Sequence, residues 1–145
     1  MMKLNNSPVC ACDLWLNLLG DRWSLLIIRD IFKGKTTFSE FLESKEKIAT
    51  NILVSRLRSL VKNGIIDFRI EPKNKRIKRY YLTESGIDLY PTIYEIQKWT
   101  LKHQDFELTD YGKSWKEFSD CHMEDEVVIH FQEEYKESRM KIFGF

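Results

Sequence analysis

The sequence of 145 residues predicts a mainly α-helical fold that carries one small β-hairpin. Apolar residues recur at helical spacing along most of the chain, and Gly or Asn-Gly interrupts them where helices should end. Two stretches rich in β-branched and aromatic residues, Ile65 to Glu71 and Arg79 to Leu82, predict the hairpin. With 43% hydrophobic residues, the chain is long enough to bury a core in one domain.

The first half of the chain is predicted to contain four helices. Residues 13–19 and 23–32 are two apolar segments, and Gly20 between them is expected to take the positive φ that ends a helix. Residues 38–44 form a shorter third helix. Residues 50–63 form the fourth, because their leucines lie on one arc of the helix. The opposite arc is polar and consists of Asn51, Ser55, Arg58 and Lys62.

The stretch from Lys47 to Ile66 contains no Asp or Glu, although acids are frequent elsewhere in the chain. A helix that enters the major groove of DNA lies among phosphates, where a carboxylate would meet a strong negative potential. Asn, Ser, Thr and Arg side chains can instead donate hydrogen bonds to base edges or phosphate oxygens. The absence of acids therefore favours a DNA-recognition helix over an ordinary solvated helix.

The predicted hairpin has a basic tip. Its turn, Pro72 to Lys78, contains four cations and no acid, and cations at this place would reach the DNA backbone or minor groove. Three helices, an acid-free helix and a basic hairpin, in this order, are typical of a winged helix-turn-helix. The candidate DNA contacts are Thr50, Asn51, Ser55, Arg56 and Arg58 on the helix and Lys75, Arg76 and Lys78 on the wing. Arg56 lies on the flank of the helix, where an ion pair within the protein is an equal alternative.

Charge divides the chain after His103. Residues 1–103 hold 18 Lys and Arg against 11 Asp and Glu, whereas residues 104–145 hold 5 against 11. We therefore predict a winged helix-turn-helix domain for DNA binding and dimerisation over residues 1–103, with double-stranded DNA as its partner. Residues 104–145 are predicted to be an acidic helical extension that packs on this domain or on a partner subunit.

A long helix is predicted from Thr83 to about His103, with Pro91 as a kink or boundary near its first turns. Its candidate buried residues are Leu89, Ile93, Ile96 and Trp99. This helix and the first helix of the chain are the expected interface of a homodimer. Two further helices are predicted in the extension, over residues 109–120 and 124–140.

Between Cys10 and His103 the sequence resembles the HxlR-type winged helix-turn-helix transcriptional regulators of bacteria. The residues that carry the resemblance are Cys10, Gly20-Asp21-Arg22-Trp23, Leu25 to Phe32, Phe38-Ser39-Glu40, Ile48, Arg56-Leu57-Arg58, Asn63 to Ile66 and Tyr80 to Gly86. The resemblance implies a homodimeric regulator, either a repressor or an activator, that contacts DNA through the helix after Ile48 and through the wing.

The chain departs from the family pattern in three places. Ala49 stands where a Ser often caps the recognition helix, so Thr50 is expected to take over the cap. Val54 and Ser55 replace longer polar residues, so the DNA site of a relative cannot be transferred to this chain. The part after His103 is longer than is usual in the family.

Some regulators of this family sense oxidants or electrophiles through a cysteine at the position of Cys10, which makes Cys10 a candidate redox sensor. A small molecule or an oxidant is accordingly the expected class of effector. Sensing requires an exposed thiolate with a lowered pKa. Asp13 is an unfavourable neighbour for a thiolate, and an unreactive structural thiol is the alternative.

Other classes of function find little support in the sequence. The histidines and the pair Cys10 and Cys12 lack the spacing of a metal site, and no catalytic motif is present, so we expect no enzyme, metal or cofactor. The absence of a long apolar run and of a signal peptide predicts a cytoplasmic protein without a membrane partner. Two alternatives stay open: a winged helix that binds only protein, and a thiol redox enzyme built on Cys10 and Cys12.

Overall fold

The computed structural model describes residues 7–145, and these residues form eight helices and one two-stranded sheet. In chain order the elements are α1 Ala11–Leu19, α2 Arg22–Phe32, α3 Phe38–Leu42, α4 Thr50–Lys62, β1 Ile66–Ile70, β2 Lys78–Leu82, α5 Glu84–Ile87, α6 Tyr90–His103, α7 Asp110–Asp120 and α8 Glu124–Phe143. The predicted fold class, mainly α with a small hairpin wing and additional C-terminal helices, is confirmed. Within the described residues, no helix has both the length and the apolar character needed to cross a membrane.

The chain divides into two compact units, of which the first ends at Ile87 and the second begins at Asp88. The first unit contains α1 to α5 and both strands, and the second contains α6 to α8. The division by charge falls after His103, at the end of α6. The assignment of DNA binding and dimerisation to residues 1–103, and of an extension to residues 104–145, stays a prediction.

The core of the first unit is built around one face of α4. Leu53, Leu57 and Leu60 on this face are buried, as their spacing predicts. The elements α2, α3 and β1 pack against α4, and β2 packs against α2. The large apolar residues that these elements bury completely are Ile28, Ile31, Phe41, Ile66 and Leu82. Because the leucine face of α4 is used in this core, the polar face is left to solvent.

The turn between α1 and α2 differs from its prediction. Gly20 has φ −76°, so it does not adopt the left-handed conformation. Glycine is required for another reason, because a Cβ at this position would overlap the carbonyl oxygen of Leu16. Asp21 then caps α2 by accepting a hydrogen bond from Ser24 N at 2.9 Å. The first two helices are therefore joined by a tight turn that fixes the start of α2.

The two strands of the wing pair antiparallel, with Phe68 opposite Tyr80. An isolated bridge between Thr37 and Arg79 extends this pairing, and Tyr80 N donates a hydrogen bond to the Thr36 carbonyl oxygen at 2.7 Å. The wing is thus attached by backbone hydrogen bonding to the segment that precedes α3.

The C-terminal end of the wing is anchored by Thr83 and Gly86. Thr83 Oγ1 donates a hydrogen bond to the Gly64 carbonyl oxygen at 2.6 Å and accepts one from Gly86 N at 3.2 Å. Gly86 is buried, and a Cβ there would overlap the carbonyl oxygen of Ile65. Helix α5 can therefore pack on the residue before β1 because residue 86 has no side chain.

In the second unit, Asp88 and Leu89 interrupt the predicted long helix, and Pro91 lies in the first turn of α6. Pro91 therefore marks a helix boundary, which is one of its two predicted roles. The core of this unit is largely aromatic, and its buried residues are Tyr90, Tyr94, Trp115, Val127 and Tyr135. Helix α6 contacts α8, and α7 contacts α8.

The prediction that Ile96 and Trp99 of α6 are buried is wrong. Ile96 and Trp99 are 45% and 59% exposed, and Leu89 and Ile93 are only half-buried. The helix buries its tyrosine face instead. The most apolar side chains of α6 are therefore left partly or largely uncovered in a single copy of the chain.

Candidate nucleic-acid interface

The polar face of α4 is exposed along the whole helix. Its exposed residues are Thr50, Asn51, Ser55, Arg58 and Lys62, which are the predicted polar arc with Thr50 at its N-terminal end. The face carries two cations and no acid. It can therefore donate hydrogen bonds and present positive charge without repelling a polyanion.

The first turn of α4 lacks a side-chain cap. Ala49 is the N-cap residue, with φ −68° and ψ 142°, and the first turn contains no acidic residue. The expectation that Thr50 takes over the cap is wrong, because Thr50 is already the first helical residue and no side-chain cap hydrogen bond is present. The amide groups of this turn are therefore left to water or to an anion such as a phosphate.

Because this cap is missing, Ala49→Ser is expected to stabilise the folded protein by about 1 kcal/mol. The extended conformation of residue 49 allows a serine oxygen to accept a hydrogen bond from an amide of the first turn. Urea unfolding of the two proteins measures the difference. Ala49→Val is the control without a hydroxyl, and equal free energies of unfolding for the Ser and Val variants would contradict the missing cap.

Arg56 lies on the flank of α4 and is half-buried. Its guanidinium lies 3.5 Å from the Asp21 carboxylate, and its Nη2 donates a hydrogen bond to Ser55 Oγ at 3.2 Å. Since Asp21 also caps α2, this ion pair connects the start of α2 with α4. The structure thus contains the internal ion pair that the sequence offers as an alternative, and contact between Arg56 and DNA stays a prediction.

Arg58 lies close to the wing. Burial raises the pKa of Tyr80 in β2, and the charge of the nearby Arg58 lowers it. Among the described residues, Arg58 has no ion-pair partner. Its exposed charge is therefore available to a ligand at the place where α4 and the wing approach each other.

Hydrogen bonds within the turn shape the tip of the wing. Glu71 N donates to the Ile77 carbonyl oxygen at 2.9 Å, and Arg76 N donates to Asn74 Oδ1 at 3.1 Å. The side chains of Arg76 and its neighbour Lys75 are exposed. The tip therefore carries two adjacent cations on an ordered turn, as a wing that contacts phosphates requires.

Glu71, the acid at the start of the tip, is paired within the protein. Arg79 Nε donates a hydrogen bond to Glu71 Oε2 at 2.6 Å, and Arg79 Nη1 donates to Thr36 Oγ1 at 3.1 Å. Lys78 Nζ lies 4.3 Å from the centre of the Phe68 ring, a cation–π contact that holds this exposed cation over one face of the hairpin. Pairing of Glu71 reduces its repulsion of an approaching phosphate.

A partly buried ion network, which the sequence analysis missed, joins α2 to the turn before α4. Asp30 is 4% exposed and accepts hydrogen bonds from Arg29 Nε at 3.0 Å and Nη2 at 2.8 Å. Arg29 Nη1 also donates to Glu46 Oε1 at 2.6 Å, and Ser44 Oγ donates to Asp30 Oδ2. The sequence feature that indicates this network is the pair Arg29-Asp30 inside an apolar helix, because buried charges need partners. This network helps to position the start of α4.

Glu46→Gln is expected to destabilise the protein at neutral pH and to have little effect near pH 2. The hydrogen bonds from Arg29 lower the pKa of Glu46 from 4.5 to about 2. Because this folded-state pKa lies below the unfolded value, the carboxylate contributes stability above about pH 5, and the contribution is lost as the pH falls towards 2. For a charged hydrogen-bonded pair that is partly exposed, the loss at pH 7 should be about 1–2 kcal/mol.

Chemical unfolding of the wild type and Glu46→Gln between pH 7 and pH 2 measures this difference. Glu43→Gln is the matched control, because Glu43 is an exposed carboxylate in the same turn. A difference between wild type and Glu46→Gln that does not shrink on acidification would contradict the role of the ion pair.

Cys10 is exposed and occupies the N-cap position of α1. The nearby backbone N–H of Asp13, and then that of Cys12, lowers the pKa of the Cys10 thiol. The amide of Asp13 therefore favours the thiolate, contrary to the effect expected of its carboxylate. An exposed thiol of lowered pKa has the properties that sensing requires, and its reactivity stays a prediction.

The structure groups histidines with an aromatic ring rather than with other metal ligands. The rings of His122 and His130 lie 4.1 Å and 4.3 Å from that of Phe118. Among residues 7–145, no three His, Cys, Asp or Glu side chains come together as a metal site.

Comparison with known proteins gives the family of this winged helix. The model of the HxlR-like helix-turn-helix family matches residues 18–120. An uncharacterized HTH-type transcriptional regulator of Synechocystis sp., sll1512, is 27% identical over 113 residues, which cover 78% of this chain and 75% of the relative.

Two solved structures of regulators share the fold. The reduced form of the transcriptional regulator YodB from Bacillus subtilis is 31% identical, with a TM-score of 0.57 and coverage of 68% of this chain and 97% of YodB. The redox regulator HypR in its oxidized form is 26% identical, with a TM-score of 0.59 and coverage of 67% of this chain and 100% of HypR. This chain is a transcriptional regulator of the winged-helix type and belongs to the HxlR-like helix-turn-helix family.

Proposed function

We propose that the protein is a sequence-specific DNA-binding regulator that acts as a homodimer. The exposed, acid-free face of α4 is the observation that carries this proposal. Helix α4 enters a major groove, and the wing contacts the flanking backbone. The proposed contacts are Thr50, Asn51, Ser55, Arg56, Arg58, Lys75, Arg76 and Lys78. Residence in the cytoplasm stays a prediction.

The homodimer is supported by apolar side chains that a single copy leaves exposed. Trp99 and Ile96 on α6 are 59% and 45% exposed, and Leu16 on α1 is 55% exposed. Large exposed apolar side chains on one helix favour a covered interface, and a second copy of the chain is the partner that we propose. Two recognition helices would then meet successive major grooves, about 34 Å apart, of a site with two-fold symmetry.

Selection of bound sequences from random duplex DNA tests this function, followed by anisotropy titrations of the selected duplex at several salt concentrations. We expect a two-fold symmetric site, and an affinity whose logarithm falls linearly with the logarithm of salt concentration. Sedimentation of the free protein should give twice the mass of 17.4 kDa. A winged helix that binds only protein would show no salt-dependent affinity for duplex DNA, even at low ionic strength.

We further propose that Cys10 makes this regulator responsive to oxidants or electrophiles. The exposed thiol at the start of α1, with its lowered pKa, supports this role. Two related regulators support this role: HypR is a redox regulator, and YodB has been solved in a quinone-bound form. A reaction at Cys10 would take place at the start of α1, which is one of the two helices proposed for the dimer interface.

Cys10→Ser is expected to abolish the effect of a quinone or of diamide on DNA affinity and to leave the affinity of the untreated protein unchanged. Anisotropy titrations before and after treatment measure both quantities. Cys12→Ser is the matched control, since Cys12 is also exposed and lies two residues away. If Cys10→Ser responds to the reagent as the wild type does, Cys10 is not the sensor. Turnover of a disulfide with a thiol reductant would instead favour a redox enzyme.

A further inference from the structure

A groove of about 230 Å³ lies between α7 and α8 in the second unit. Four of its lining side chains are aromatic, and they are joined by one histidine and one carboxylate. The residues concerned are Tyr111, Trp115 and Phe118 from α7 and His130, Phe131 and Glu134 from α8. The groove is smaller than the usual drug-sized pocket of about 300–1,000 Å³, which limits it to a small ligand.

The aromatic walls of the groove are held in place by contacts within the unit. Trp115 Nε1 donates a hydrogen bond to Tyr90 Oη at 3.0 Å, and the Tyr90 ring stacks on Phe131 at 5.3 Å. Phe118 meets Phe131 edge to face at 5.6 Å. These contacts fix the rings before any ligand arrives, which reduces the entropy cost of binding.

The charge of the groove is negative. Glu134 is its acid, and none of the described residues that line it is Lys or Arg. Burial and then the charge of Glu134 raise the pKa of Tyr111, so the Glu134 carboxylate lies near the Tyr111 hydroxyl. A carboxylate and the aromatic rings beside it both attract a cation, the carboxylate through its charge and the rings through their negative faces.

We propose that this groove binds a small organic cation, an ammonium ion with an aromatic or alkyl group, as a ligand of the protein. The ammonium group lies between Glu134 and the face of Tyr111, and the apolar group packs against Trp115 and Phe131. The site shares no residue with the proposed DNA contacts or with Cys10, so binding of the cation can be tested without DNA and without a thiol reagent.

A titration of the full chain with benzyltrimethylammonium, followed by NMR at the tryptophan indole N–H signals, tests the proposal. The Trp115 signal, assigned with a Trp115→Phe variant, should shift saturably, with a dissociation constant on the order of 0.1–1 mM for an ion of this size. Glu134→Gln should weaken binding by about fivefold or more, because the direct charge attraction is lost. Absence of a saturable shift up to about twenty times that concentration range would overturn the proposal.

Two controls separate charge recognition from general apolar binding. Glu133→Gln removes the same charge from α8 at a residue that does not line the groove, and it should bind the probe as the wild type does. Benzyl alcohol and phenylacetate, a neutral and an anionic probe, should bind at least about fivefold more weakly than the cation. The proposal fails if Glu134→Gln keeps the wild-type affinity, or if phenylacetate binds as tightly as the ammonium ion.

Discussion

Arg58→Ala is expected to weaken binding to duplex DNA by about fivefold or more, or roughly 1–3 kcal/mol. Arg58 is exposed on the polar face of α4, lies near Tyr80 of the wing, and has no ion-pair partner among the described residues. It can therefore reach DNA without first breaking an ion pair within the protein. If Arg58 contacts a phosphate, its loss should also reduce the salt slope of the affinity by about one. If Arg58 contacts a base, its loss should instead relax the specificity at one position of the DNA site.

Anisotropy titrations of one duplex at several salt concentrations measure both quantities. Lys113→Ala is the matched control, since it removes the same charge from an exposed position on α7. Lys75→Ala should resemble Arg58→Ala in its effect on the salt slope, because Lys75 is proposed to contact the backbone. Equal affinities and slopes for Arg58→Ala, Lys113→Ala and the wild type would exclude the α4 face as the DNA interface.

The α4 face could be predicted from the sequence because its pattern is local. A buried arc of leucines and an exposed arc of polar residues follow from the helical repeat alone, and Leu53 and Arg58 lie on the predicted sides. The hairpin is also local, since its two strands are joined by a short basic turn. Both parts of the proposed interface could therefore be predicted from patterns between residues that lie within about ten positions of each other.

The ion network behind this face could not be predicted in the same way. Arg29 and Glu46 are seventeen residues apart, and their pairing depends on how α2 packs against the turn before α4. The cap of α3 differs, because Thr37 and Glu40, which form a capping box, are close in sequence. A sequence rule exists for that motif, whereas a pair between distant charges becomes visible only once the fold is known.

The buried face of α6 shows why hydrophobicity alone misplaces a core. Ile96 and Trp99 are more apolar than Tyr90 and Tyr94, yet the tyrosines are buried. The structure satisfies the hydroxyl of Tyr90 with a hydrogen bond from Trp115, which removes the main cost of burying it. Two apolar arcs compete on this helix, and the arc that is buried depends on α7 and α8, which supply the partners.

Gly86→Ala is expected to destabilise the protein by about 2–3 kcal/mol, since a methyl group at this position has no space. The added Cβ would overlap the carbonyl oxygen of Ile65, which is backbone and cannot rotate away. Either α5 or the start of β1 must move, and movement would strain the hydrogen bonds that Thr83 makes to Gly64 and Gly86. Thermal unfolding should show a melting temperature lowered by roughly 5–12 °C.

Gly112 provides the sharpest control, because Leu108-Thr109-Asp110-x-Gly112 repeats the local pattern Leu82-Thr83-Glu84-x-Gly86. Thr109 caps α7 by accepting a hydrogen bond from Gly112 N at 3.1 Å, so both motifs are helix starts with the same local bonding. A Cβ at Gly112 would lie 3.0 Å from Leu108 Cδ2, the end of a flexible side chain that can shift. Gly112→Ala should therefore change stability by less than about 1 kcal/mol, because the helix gains what the contact loses. If both alanine variants melt at the same temperature, the cost at Gly86 comes from the shared motif and not from the carbonyl of Ile65.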